Sequence, residues 1–140
     1  MPQPDLFLMI KPTHGGQAKI DENDYLSGAP ELVAEISATS ASYDLHEKLR
    51  VYRRSGVREY IVWRTLDQQI DYFILREGEY KALPIAADGS LHSEIFPGLW
   101  IDSPALLAGD LAKALVTVQQ GAASPEHAAF IEALKSKANH

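Results

Sequence analysis

The 140-residue sequence contains no cysteine. That excludes disulfides, thiolate metal sites and cysteine nucleophiles, and it fits a reducing, cytoplasmic setting. No apolar run approaches the roughly 18 residues that a membrane-crossing helix needs, so no membrane partner is expected. The opening Met1-Pro2-Gln3-Pro4-Asp5 lacks the basic and long apolar stretches of a signal peptide. There is no Gly-rich phosphate loop, zinc motif or Ser-His-Asp arrangement, and the five histidines show no ligand spacing. A basic excess is also missing. Thirteen Lys and Arg against 19 Asp and Glu give a net charge of -6, which is not the balance of a strongly basic nucleic-acid binder. What is present is ordinary globular material: 46% hydrophobic and 23% charged residues, on a chain long enough to bury a real core.

Charge is unevenly spread. Lys48, Arg50, Arg53, Arg54, Arg58 and Arg64 crowd into 17 consecutive positions of an acidic chain. This is either a solvated helix face or a phosphate-binding patch. The acidic run Asp21-Glu22-Asn23-Asp24 lies in a polar stretch, residues 11–27, that reads as a loop.

Hydrophobic periodicity places the elements. Residues 6–10 are apolar and read as a buried strand. Residues 31–37 form a second strand, with Glu31, Val33, Glu35 and Ser37 on one face and Leu32, Ala34 and Ile36 on the other. A helix follows from Ser42 or Asp44 as N-cap to about Ser55, with Gly56 at its C′ position and Leu45, Leu49 and Tyr52 on one face. Residues 58–64 and 70–75 read as a strand and its hairpin partner, and further strands are expected at 80–83 and 91–95. Residues 96–100 read as an apolar loop. Residues 104–120 then read as one helix ending at Gly121. A last helix begins with Ser124 as N-cap and Pro125 as its first residue. The strand–helix–strand order predicts an α/β (α+β) fold: a mixed sheet flanked by helices, with parallel pairing across the helix. The core is expected over residues 1–110, with C-terminal helices over 111–140.

Glu35 is the anomaly in this pattern. A carboxylate in mid-strand is costly unless it has a cation or a metal as partner. Together with Asp5 at the head of the first strand and Lys48 on the following helix, it makes a set suited to metal-dependent phosphodiester hydrolysis. Hard carboxylate oxygens hold Mg²⁺ or Mn²⁺ with waters retained, and a lysine steadies charge building on phosphorus. Asp5 and Glu35 on neighbouring strands can share one ion. Glu31 is a weaker metal ligand, because four residues along a strand span roughly 13 Å. Plainer readings stand beside these. Asp5 is then a frayed terminal residue, Lys48 a surface partner of Asp44, and Tyr52 and Tyr60 core aromatics.

The runs Gly28-Ala29-Pro30-Glu31-Leu32-Val33-Ala34-Glu35-Ile36-Ser37, Tyr43-Asp44-Leu45-His46-Glu47-Lys48-Leu49-Arg50-Val51-Tyr52 and Gly56-Val57-Arg58-Glu59-Tyr60 are linked in order. With Pro4-Asp5-Leu6, they resemble a bacterial family of restriction-endonuclease-like proteins in the PD-(D/E)XK nuclease superfamily, over roughly residues 3–110. The resemblance implies a Mg²⁺-dependent endonuclease acting on DNA, with Asp5 and Glu35 as the Mg²⁺ carboxylates. Lys48 would be the lysine, moved from the strand to the helix, and Ser37 stands where the superfamily pattern has lysine. Read from the basic cluster rather than the resemblance, Arg50, Arg53, Arg54 and Arg58 are the residues that would face nucleic acid if that cluster is a phosphate-binding patch. Glu31 stands where the family usually has Asp. Family members carry a further N-terminal region before the Pro-Asp strand, so the chain reads as a truncated form. The alternative is thus an inactive remnant of the fold serving as a binding or assembly module. Its exposed apolar edge predicts self-association into a homo-oligomer.

Overall fold

A computed structural model describes residues 4–20, 22, 26–38 and 42–138. Most of the acidic run, and the capping side chains expected at Ser42 or Asp44, lie outside the described residues. The chain divides into two compact units, Met1–Ala82 and Leu83–His140.

The first unit contains β1 (Leu6–Leu8), a short hairpin of β2 (Lys19–Ile20) and β3 (Leu26–Ser27), β4 (Leu32–Ser37), α1 (Ser42–Ser55), β5 (Glu59–Arg64), β6 (Gln69–Arg76) and β7 (Glu79–Ala82). Its main sheet runs β1-β4-β5-β6-β7. The β4–β5 pair is parallel and the other neighbours are antiparallel, so the sheet is mixed. The parallel pair follows from the α1 crossover. Helix α1 ends as its sequence requires. Gly56 takes φ +83, its N–H bonds Arg53 O, and Val57 N–H bonds Tyr52 O, which is a Schellman closure. Leu45, Leu49 and Tyr52 pack from α1 onto Val33, Tyr60 and Val62, and this is the core of the unit. Glu77 and Gly78, both at positive φ, close the β6–β7 hairpin as a two-residue turn.

The structure corrects three expectations in this unit. Residues 6–10 are not a buried strand: β1 stops at Leu8 and is an edge, with Leu6 65% and Phe7 49% exposed. A three-residue strand with one neighbour cannot bury both faces. Residues 11–27 are not wholly loop, since a 3₁₀ turn at Pro12–His14 and the β2–β3 hairpin lie among them. The third strand of the hairpin series starts at Glu79, because the tight turn leaves no slack.

In the second unit β8 (Leu91–His92) pairs with β9 (Trp100–Ile101), followed by α2 (Ser103–Ala108), α3 (Leu111–Ala122) and α4 (Pro125–Ala138). The strand expected over 91–95 is therefore only two residues long, and the expected loop at 96–100 ends in a strand residue, Trp100. The single helix expected over 104–120 is two helices. Gly109 turns the chain at φ +76, and Asp102 and Asp110 cap α2 and α3 by accepting from Ala105 N–H and Lys113 N–H. Nor does Gly121 end its helix. It lies within α3, where a Cβ would stand 2.3 Å from Gly98 O and 2.7 Å from the Trp100 ring, so glycine is there for close packing. Ser124 caps α4 as expected, its Oγ accepting from His127 N–H at 3.3 Å.

Candidate functional site

Strand alternation sends Val33, Glu35, Tyr60 and Val62 to the face of the sheet covered by α1. The register pairs Val33 with Tyr60 and Glu35 with Val62. This brings Glu35, only 5% exposed, beneath the helix. Three donors converge on its carboxylate. Lys48 Nζ lies 2.9 Å from Oε2, Tyr60 donates its hydroxyl to the same oxygen at 2.9 Å, and Tyr52 donates to Oε1 at 2.6 Å. The mid-strand carboxylate thus has the cation that its burial demands.

Lys48 approaches from the solvent side and keeps 39% of its side chain exposed. The two tyrosines are fully buried. Burial, with the hydrogen bond and negative charge of Glu35, pushes the Tyr52 hydroxyl well above its ordinary range, and the charge of Asp5 adds to it. Burial first and then the charge of Glu35 do the same to Tyr60. Both are therefore neutral, fixed donors.

Asp5 belongs to the same place. Leu6 pairs with Ala34, and Asp5 stands just before this antiparallel β1–β4 ladder, one residue outside β1. Asp5 Oδ2 accepts Ile36 N–H at 2.7 Å. Lys48 is thus in contact with Glu35, and Asp5 lies beside them, bonded to the next residue's N–H and close enough for its charge to act on Tyr52.

Glu31 is not part of this group. Its carboxylate is buried and accepts Ile10 N–H at 3.2 Å and Gln17 N–H at 3.3 Å, tying down the chain after β1. Gln17 continues that tie, donating to Ala29 O, Pro30 O and Gly56 O, and it accepts Arg58 Nε at 3.2 Å. Arg50, Arg53, Arg54 and Arg58 are exposed. At about 100° per residue, Arg50 and Arg53 lie on the other flank of α1 from Lys48.

A recess of about 20 Å³ opens beside Glu35, lined also by Ser37, Lys48, Tyr60 and Arg64. It lies at the carboxyl ends of the parallel strands, where open α/β sheets bind ligands, and has room for about one water. Arg64 is held there by Asp71 at 2.8 Å and Asp67 at 3.1 Å.

A carboxylate offers about four lone pairs. Oε2 of Glu35 uses two, on Lys48 and Tyr60, while Oε1 uses one on Tyr52. That leaves a lone pair on Oε1, while the exposed Asp5 carboxylate uses Oδ2 on Ile36 N–H and has further acceptor capacity. Among the described residues no three of His, Asp and Glu gather as a metal-binding group. By donor chemistry, hard carboxylate oxygens, Glu35 and Asp5 suit Mg²⁺, which needs only one or two protein carboxylates.

Residues 1–106 match Uma2, a family described as putative restriction endonuclease. The chain belongs to the Uma2 family. No curated protein matches it. The Uma2 match covers the whole first unit and runs through β8 and β9 into α2, so it includes Asp5, Glu35 and Lys48. A restriction-endonuclease-like family accounts for the mixed sheet, and such families generally use divalent metals. No helix among the described residues is long and apolar enough to cross a membrane.

Sequence reasoning misses Tyr52, Tyr60 and Arg64 at the site. The tyrosines fit the apolar stripe and read as core aromatics, which is correct but incomplete. A hydroxyl on an apolar face beside an unexplained glutamate is the signal that finds them.

Proposed function

We propose that this Uma2 chain is a Mg²⁺-dependent endonuclease hydrolysing DNA phosphodiester bonds, with Asp5 and Glu35 as metal carboxylates and Lys48 as the catalytic lysine. The observation that carries the reading is the contact of Lys48 with the buried Glu35, with Asp5 bonded to the adjacent Ile36 N–H. When bound there, Mg²⁺ supplies positive charge that polarises the phosphate and acidifies a neighbouring water. Tyr52 and Tyr60 hold the Glu35 carboxylate in one orientation. The half-exposed Lys48 has the freedom to turn from Oε2 towards the phosphate, where its charge offsets the charge building on phosphorus. The exposed Arg50, Arg53, Arg54 and Arg58 lend local positive charge for a polyanion in an otherwise acidic chain.

Nicking of supercoiled plasmid in Mg²⁺ tests the division of labour. Lys48→Ala is expected to slow nicking by about 10²-fold, the usual cost of one electrostatic group, while changing Mn²⁺ affinity by less than about 3-fold. Equal losses in both would make Lys48 a structural partner of Glu35 and remove its catalytic role.

A further inference from the structure

A second depression lies on the opposite flank of α1. His46, Leu49, Arg50 and Arg53 of the helix face Glu79 and Tyr80 of β7 across a groove of about 270 Å³. Spacing at i, i+3, i+4 and i+7 puts the four helix residues on one face. We propose that this groove is a subsite for one unpaired nucleotide of the DNA strand. As to the source of that nucleotide, the proposal rests on the endonuclease reading above.

The chemistry is divided as a nucleotide is. Two exposed guanidiniums, with no ion-pair partner among the described residues, stand within one helical turn of each other and are suited to fork onto a phosphate. The His46 imidazole adds a further donor. Leu49 and the Tyr80 ring give an apolar floor on which a base can lie. Tyr80 is pinned, since its hydroxyl donates to Val57 O at 2.7 Å and its ring contacts Phe73 at 6.4 Å between centroids. Glu79, paired with Lys81 at 3.1 Å, offers an acceptor for base or sugar N–H and O–H groups. The volume is near the lower end for small-molecule sites, so it suits one nucleotide rather than a stacked pair. A base reaches such a floor only when unpaired, which favours single-stranded or frayed DNA.

The test is fluorescence anisotropy of a labelled single-stranded oligonucleotide, and of its duplex, in EDTA so that no cleavage occurs. The chain is expected to prefer the single strand. Arg50→Ala with Arg53→Ala should weaken single-strand binding by at least about 10-fold and flatten the slope of log K against log salt by about 0.7 for each phosphate that the two arginines neutralise. Lys113→Ala with Lys137→Ala removes the same charge from exposed sites elsewhere and should change affinity by less than about 2-fold. Equal losses in the two double variants, or equal binding of duplex and single strand, would overturn the proposal. Because binding is read without metal, the two readings fail separately. Arginine-dependent single-strand binding by a chain that never cleaves would sink the nuclease and leave the subsite. Metal-dependent cleavage with indifferent arginines would do the reverse.

Discussion

Glu35→Gln is expected to abolish metal-dependent plasmid nicking, by about 10³-fold or more, while the chain stays folded. The substitution removes the charge that the metal and Lys48 both need. It keeps a carbonyl oxygen that can accept from Tyr52, but its amide then opposes the donors Lys48 and Tyr60. Glu35→Ala is expected to lose activity equally and to cost more stability, roughly 2–5 kcal/mol, because two buried tyrosine hydroxyls are left without their acceptor. Urea unfolding beside the nicking assay separates the two effects. Retained nicking in the folded Gln variant would remove Glu35 from the chemistry.

The same cluster predicts a steep alkaline limb. Tyr52 and Tyr60 hold their protons far above the ordinary range in the folded chain. An unfolded tyrosine loses its proton near pH 10. Above about pH 10 the unfolded state therefore binds fewer protons than the folded one, and stability falls as pH rises. Below it, the contribution of both groups is fully present. The slope is about 1.4 kcal/mol per pH unit for each tyrosine, and roughly twice that for the pair. Urea midpoints between about pH 9 and pH 11 should drop steeply for the native sequence and less steeply for Tyr52→Phe with Tyr60→Phe. Identical slopes would mean that the two hydroxyls are not held as neutral donors. At neutral pH the double variant should already be less stable, since each hydroxyl bonds a charged acceptor worth about 1.5–3 kcal/mol.

Much of this arrangement is legible in the order of residues. The strand–helix–strand run around Glu35 carries its own punctuation in Gly56, and a single-helix crossover prefers parallel pairing. Glu35 stands out because nothing in its strand explains a carboxylate. Its donors are harder to see. Tyr60 reaches Glu35 only because β5 registers Val33 against Tyr60, and a register is a tertiary fact. Asp5 becomes credible through the same kind of fact, the β1–β4 pairing that carries it to the Ile36 N–H beside Glu35. Glu31 misleads because strand parity places it on the face of Glu35, whereas its carboxylate serves backbone N–H groups of a distant loop. The split between α2 and α3 is readable in Asp102, Gly109 and Asp110. The run of Ala and Leu through 105–115 hides it, because helix propensity continues smoothly across the break.

The central claim is that Asp5 and Glu35 share one ion, and calorimetric titration of Mn²⁺ into the purified chain tests it most directly. The native sequence is expected to bind one ion, with Asp5→Ala and Glu35→Gln each weakening it by at least about 10-fold, as loss of one of two carboxylate ligands requires. Binding that survives Asp5→Ala unchanged, or no binding by the folded native chain, would contradict a shared metal. The fold would then be a nuclease-like scaffold without a nuclease centre.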